Sequence, residues 1–252
     1  MFKELHRKDE PLIICNVWDV PSALIAERNA FSAIGTSSAA IAKMIGKEDG
    51  ENVLFEELMS IVSAISKASR LPLTVDIESG YGETPRIIAK NIIELVQVGV
   101  VGVNIEDSIV VQGKRQLCDS TAFSKMLKSV RALLSEAGVE VFINVRSDAY
   151  LLSVNCALEV SLARIEKYQQ SGADGIFLPC IKEPDDIKVV TASTALPINV
   201  MCVPDLPDFV VLKKLGVKRI SMGNFVHEAI LASLSSVLTS VVKEQSFKQL
   251  FV

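Results

Sequence analysis

Eight short apolar runs, each ending in polar or acidic residues and each followed by a longer stretch, recur along the whole chain. They are Leu12–Asn16, Ala33–Ser37, Leu73–Glu78, Gly102–Glu106, Val141–Arg146, Gly175–Pro179, Ile198–Cys202 and Arg219–Gly223. Uninterrupted apolar runs of this length fit strands covered on both faces, as in a parallel sheet. The stretches between them read as helices. Asn52–Ser69 carries Val53, Leu54, Leu58, Ile61, Val62 and Ile65 near a helical period. Thr84–Val98 opens with a residue able to cap and with Pro85 at the first helical position, where its missing N–H costs nothing. Thr121–Ala137, Ala157–Gln170, Glu183–Ala192, Leu206–Leu215 and Phe225–Glu244 follow, several closed by a glycine.

Strand and helix alternating eight times within 252 residues is the arithmetic of an α/β chain closed as a (β/α)8 TIM barrel, one domain over residues 1–252. The rival open, doubly wound sheet places a Gly-rich phosphate loop after its first strand. Here Asn16-Val17-Trp18-Asp19 follows, with no GxGxxG.

Composition narrows the function classes. A net charge of −4 without a basic run gives no footprint for nucleic acid. No uninterrupted apolar run approaches the roughly 18 residues of a membrane span. Leu12–Cys15 is too short for a signal-peptide core, so a cytoplasmic protein with no membrane partner is expected. The five cysteines include no CxxC pair and fit neither a zinc site nor a disulfide framework. Cys15, Cys180 and Cys202, in or beside apolar runs, are expected to be small buried hydrophobes, while Cys118 falls in a polar loop. Of the two histidines, His6 sits in a charged segment and is expected to be exposed, and His227 is expected to be structural.

Barrel enzymes work at the C-terminal ends of their strands. The third run ends Asp76-Ile77-Glu78, then Ser79-Gly80-Tyr81-Gly82; the fourth ends Glu106-Asp107; the fifth ends Arg146-Ser147-Asp148. Four carboxylates on two adjacent strand ends repel in a dry pocket, and a divalent cation removes that cost. An all-oxygen set suits Mg²⁺ or Mn²⁺. In a strand, Asp76 and Glu78 would share one face. The alternative is that these acids cap helices or solvate the rim. Arg146 needs an anionic partner, either a substrate carboxylate held bidentately or Asp148. Ser37 and Ser38 with their N–H groups suit an oxyanion or are a plain strand end. Gly80-Tyr81-Gly82 is a tight loop beside the acids or an ordinary turn.

Together these segments resemble the isocitrate lyase / phosphoenolpyruvate mutase superfamily. The likeness lies in NVWDVPSALIAE, GTSSAAIAKMIGKEDGE, VDIESGYGE, GVNIEDS, FINVRSDAYL, ADGIFLPCI, LPINVM and LGVKRISMGN, from about Asn16 to Asn224. The resemblance implies a barrel that binds Mg²⁺ and a small 2-oxo or 2-hydroxy carboxylate and works through a metal-stabilised pyruvate enolate. It implies that Asp76, Glu78 and Glu106 hold the metal, partly through water. Ser37, Ser38, Tyr81 and Arg146 would bind substrate, with Asp49, Arg146 and Ser37 in the catalytic set. Homodimers or homotetramers, with the last helix exchanged between neighbours, are also implied.

Two departures bear on the reaction. The lyases' Lys-Lys-Cys-Gly-His loop is replaced by SIVVQGKRQLCDS, in which Cys118 comes three residues late and lacks its histidine. Phosphonate-forming mutases carry an aromatic where Gly35 stands. Three functions remain open. One is a Mg²⁺-dependent C–C lyase, decarboxylase or hydrolase, with an oxaloacetate-like substrate attractive. Another is phosphoenolpyruvate mutase or phosphonopyruvate hydrolase chemistry using Lys43, Lys47, Lys114 or Arg115. The third is a barrel that has lost catalysis and serves as a binding subunit.

Overall fold

The computed structural model describes residues 2–251. In chain order the elements are α1 (Phe2–Leu5), β1 (Leu12–Val17), α2 (Val20–Arg28), β2 (Ala33–Thr36), α3 (Ser38–Met44), α4 (Phe55–Ala68), β3 (Leu73–Asp76), α5 (Pro85–Gln97) and β4 (Val100–Glu106). A hairpin follows, β5 (Ser108–Val111) and β6 (Lys114–Leu117), then α6 (Ser120–Glu136), β7 (Phe142–Arg146), α7 (Ala157–Gln169), β8 (Gly175–Leu178) and α8 (Pro184–Ala192). The last elements are β9 (Ile198–Met201), α9 (Phe209–Lys214), β10 (Arg219–Ser221), α10 (Phe225–Glu244) and a 3-10 turn, Lys248–Leu250.

Eight strands close into a parallel barrel in the order β1-β2-β3-β4-β7-β8-β9-β10, with β10 returning to β1. This is the (β/α)8 architecture that the alternating runs require. Each expected run overlaps one of these strands, β1 running one residue past its run and β4 starting two residues before its own. Apolar side chains such as Ile34, Val75, Val103, Val145, Ile176 and Val200 are buried and join one core cluster with Leu58, Ile92, Leu127, Ile165 and Leu212 of the helices. Thr84 caps α5 through Ile87 N, with Pro85 in the first turn as expected. Glu106 is the register partner of Arg146, and Asp76 of Asn104, which fixes the order of groups around the mouth.

The N-terminal end of the barrel is plugged by Phe2, Leu12, Ile14, Ala33 and Phe142. His6 belongs to this plug and is buried, not exposed, because the segment after α1 folds under the barrel. Its ring stacks on Phe142 with centroids 4.3 Å apart. Burial first, and then the charge of Arg219, lower its pKa to about 3. His227 is buried against Trp18, as a structural residue should be. The cysteine expectation fails for Cys202, which is exposed just past β9, while Cys15 and Cys180 are half-buried.

α10 departs from the rest. It is long and apolar enough, averaged over its length, to cross a bilayer, although no uninterrupted apolar run shows this, and hardly any of it is buried. Ile230, Leu234, Leu238 and Val242 are all exposed along it.

Candidate active site

The site forms where the strands end. β3 stops at Asp76, and the chain then turns through Glu78 at φ +48°, Gly80 at φ +117° and Tyr81 at φ +54°. Alternation along a strand therefore does not relate Asp76 to Glu78, contrary to the sequence expectation; the turn does. Glu78 N donates to Asp76 Oδ1 at 3.1 Å, and Ser38 Oγ to Asp76 Oδ2 at 3.4 Å. Asp76 is buried and its carboxyl is raised by that burial, against the pull of Arg146.

Glu78 is 2% exposed and committed to its neighbours. Its carboxylate accepts from Glu51 N at 2.5 Å and from Tyr81 OH at 3.1 Å. Burial, then Asp49 and Asp76, push its pKa up to about 7. Tyr81 spends its hydroxyl on Glu78 and its N–H on Glu51, and it does not line the central cavity, so it braces Glu78 instead of facing a substrate.

Glu106 is also engaged. Arg146 Nη1 lies 3.0 Å from its Oε2, and Arg115 Nη1 contacts its Oε1. Arg146 is held in turn by Asp148, with Nε to Oδ1 at 2.6 Å and Nη2 to Oδ2 at 3.2 Å, which is the ion pair the sequence left open. Asp107 leaves the cluster altogether. It accepts from Ser147 Oγ, Asp148 N, Arg164 Nη1 and Tyr168 OH at 2.7–3.0 Å, locking the end of β4 to β7 and α7. Asp107 thus drops out of the four acids expected to converge, and neither Arg164 nor Tyr168 carried a sequence signal for this role.

A cavity of about 270 Å³ opens at this mouth. Asp49, Asp76, Asn104, Arg115, Arg146 and Ser37 are among its lining, with Ser38 beside them. Ser37 Oγ caps α3 by accepting from Ala40 N at 3.3 Å, and Ser37 N is spent on Val17 O. The free N–H groups here are those of Ser38 and Ala39, in the first turn of α3, where no helical acceptor exists. Asn16, Asn104 and Ser221 also line the cavity and went unread in the sequence, although Asn16 ends its apolar run.

The match to known proteins follows this layout. The family model for phosphoenolpyruvate phosphomutase covers residues 2–242. The chain belongs to this family. An uncharacterised Mycobacterium tuberculosis H37Rv protein is 31% identical over 240 residues, 95% of this chain and 88% of that one. A Pseudomonas entomophila oxaloacetate decarboxylase is 28% identical over 93% of this chain and 80% of its own. A candidate phosphonomutase from Burkholderia cenocepacia J2315, solved as a crystal structure, is 35% identical with a TM-score of 0.88, covering 94% of this chain and 97% of that one. The phosphoenolpyruvate mutase resemblance read from the motifs therefore holds.

Within this family member, the donor chemistry can be tested against a hard divalent cation. Among the described residues, no three His, Cys, Asp or Glu side chains form a ready-made cage. Mg²⁺ does not need one, because it is usually held by one or two carboxylates, with waters and substrate oxygens completing its shell. Asp76 is buried, oxygen-only, raised in pKa and open to the cavity, which fits that role. Glu78 and Glu106 are not part of the cavity lining, their oxygens being engaged by Glu51 N and Tyr81 OH and by Arg146 and Arg115.

Proposed function

We propose that this chain is a Mg²⁺-dependent enzyme that cleaves a C–C bond of a small 2-oxo or 2-hydroxy dicarboxylate, with decarboxylation of an oxaloacetate-like substrate as its reaction. One observation carries the reading. A cavity of about 270 Å³ is lined by two acids, Asp49 and Asp76, together with two arginines, Arg115 and Arg146. That volume admits a four- or five-carbon acid and little more, at the small end of ligand pockets. The oxaloacetate decarboxylase likeness over 93% of the chain supports the same substrate class.

Each residue then has a task. Arg146, held flat by Asp148, offers its cavity edge to a carboxylate. The first-turn N–H groups of α3 at Ser38 and Ala39 suit a second anionic oxygen. Asp76 anchors the cation, whose chemistry when bound is to polarise the 2-oxo group as a Lewis acid. Asp49 faces the cavity from the segment after α3 and could carry a proton or position a water. Loss of CO₂ breaks one C–C bond and leaves the electron pair on the remaining fragment, which a proton then quenches.

The P–C alternative finds less support. Of the four basic groups considered for a phosphonate, Lys43 is paired with Glu228, Lys47 with Glu57, and Lys114 lies on the exposed hairpin; only Arg115 lines the cavity. An aromatic at position 35 has no room, since even a Cβ there would lie 2.9 Å from Ile14 Cγ2.

A coupled pyruvate assay over oxaloacetate, substituted malates, 2-methylisocitrate and phosphonopyruvate tests the reading. Pyruvate release from oxaloacetate should require Mg²⁺ and vanish in a folded Asp76→Ala variant. Turnover of phosphonopyruvate alone, or full activity of Asp76→Ala, would refute it.

A further inference from the structure

The barrel interior next to the cavity is polar where layers of branched apolar side chains are usual. Asn104 on β4, Asn144 on β7 and Asn199 on β9 are 8%, 1% and 1% exposed, and Arg219, at the start of β10, is 2% exposed. Their amides are ordered in one direction. Asn199 Nδ2 donates to Val200 O at 2.6 Å and to Ser221 Oγ at 3.1 Å, which turns its Oδ1 toward Asn144. Asn144 Nδ2 donates to that oxygen at 3.1 Å and to Asn104 Oδ1 at 3.0 Å. Arg219 Nη2 donates to the same Asn104 Oδ1 at 3.3 Å.

Two donors therefore fix which way the Asn104 amide lies. With Oδ1 spent on them, Nδ2 has to face away from both. Asn104 lines the cavity and is the register partner of Asp76 on the adjacent strand. Among the described residues, no protein acceptor takes its Nδ2, and that atom is not sealed from solvent as the orphaned nitrogens of Arg219 are. Arg219 has no carboxylate within ion-pair distance among the described residues, and its Nε and Nη1 are unpartnered. A buried cation so poorly paired is costly to keep. Its charge acts along the hydrogen bond to Asn104, and polarisation along such a chain makes the far N–H the stronger donor.

We propose that Asn104 is a substrate-contacting residue whose Nδ2–H₂ donates to an anionic oxygen of a small 2-oxo carboxylate, with Arg219 as the positioning residue that fixes the amide's direction. This subsite rests on the functional reading above and adds to it a donor on the cavity floor beside Asp76. A donor backed by a cation selects a charged oxygen over a neutral carbonyl, so it favours an enolate-like or carboxylate group at that place.

The probe is oxalate, a planar dianion shaped like the enolate of a 2-oxo acid, titrated calorimetrically into the full chain with saturating Mg²⁺. Asn104→Asp keeps the shape and both hydrogen bonds to Oδ1, and it gives Arg219 a counter-charge while replacing the donor with an acceptor. Its melting temperature should hold or rise, Mg²⁺ affinity should not weaken, and oxalate affinity should fall at least tenfold. A merely structural role would show the reverse, a lower melting temperature with oxalate binding intact. Oxalate affinity within twofold of the wild type would overturn the subsite and leave the functional reading standing. Should the wild type bind no oxalate, the functional reading falls and the subsite with it. Should Asn104→Asp not fold, side-chain amide NMR of the ¹⁵N-Asn-labelled wild type decides: oxalate should shift one buried Asn NH₂ pair, and no shift overturns the proposal.

Discussion

Arg115 Nη2 lies 3.3 Å from Asp49 Oδ2, tying the β5–β6 hairpin to the segment after α3 across the mouth of the barrel. The same guanidinium also covers Glu106, so one acid expected to serve a cation is already neutralised by an arginine. A positive charge this close opposes a second one. Arg115→Gln should tighten Mg²⁺ binding about tenfold, or about 1.4 kcal/mol, while turnover falls because the tie across the mouth is cut. Calorimetric titration with Mg²⁺ and the pyruvate assay check the two halves separately. Weaker Mg²⁺ binding in the variant would contradict this account of Glu106.

Asp107 makes a stability prediction, not a catalytic one. It is fully buried and accepts from Arg164 and Tyr168 at 2.7 Å each. Asp107→Asn keeps the shape but leaves the Arg164 guanidinium buried without a counter-charge, a loss of roughly 3–5 kcal/mol. Urea unfolding should show it, with a melting temperature lower by on the order of 10 °C. Mg²⁺ affinity should stay within twofold, since the carboxylate faces away from the cavity. A large drop in Mg²⁺ affinity without loss of stability would place Asp107 back in the site.

Much of this was readable from the chain. Parallel strands covered on both faces must be apolar throughout, so Val103, Val145 and Val200 announced their strands, and strand ends then pointed to Asp76, Glu106 and Arg146. The hairpin was legible and missed: Gln112 and Gly113 both have positive φ, the two-residue turn that joins antiparallel strands. The relation of Glu78 to Asp76 was not legible, because periodicity does not show that the strand ends two residues earlier and turns through positive φ. The burial of His6 was hidden for a different reason. Its sequence neighbours are charged, and only the closed barrel supplies Phe142 as a surface to stack on.

That buried imidazole gives a pH dependence with a definite sign. His6 has its pKa lowered from 6.5 to about 3, chiefly by burial. Between those values the unfolded chain binds a proton that the folded chain does not, so stability falls as pH drops through this window and is fully present above it. The slope from one such group is about 1.4 kcal/mol per pH unit. His6→Phe keeps an aromatic ring against Phe142 and removes the titration. Its unfolding free energy should therefore decline less than the wild type's from pH 6 to pH 4. Parallel declines for the two proteins would show that the acid sensitivity arises elsewhere.

Glu78 works in the opposite sense, with a pKa raised from 4.5 to about 7. From pH 4.5 to 7 the folded chain holds the extra proton, so this residue costs stability as pH rises, and a cation beside it offsets that cost. Glu78→Gln should be more stable than the wild type at pH 8 without Mg²⁺. The difference should shrink when Mg²⁺ is added and vanish below pH 4.5. Thermal melts at pH 4 and pH 8, with and without the metal, decide it.

α10 sets the last expectation. Ile230, Leu234, Leu238 and Val242 recur every fourth residue and are exposed, and Phe247, Leu250 and Phe251 beyond them are exposed too. Beside the start of the helix lies an apolar cavity of about 640 Å³, lined by Leu206, Phe209, Phe225, Val226 and Ile230. An apolar stripe of this length is not left to water. Either a second copy covers it or a lipid surface does. Ser233, Ser235, Ser236, Thr239 and Ser240 interleave with the stripe, and Glu228 pairs with Lys43 of the same chain, which suits protein contact better than hydrocarbon. Light scattering at micromolar concentration should give a dimer or tetramer, and Leu234→Glu with Leu238→Glu should give a monomer that keeps its barrel by circular dichroism. A wild type that runs as a monomer, or that sediments with liposomes while the double variant stays in solution, would assign the stripe to something other than a second copy.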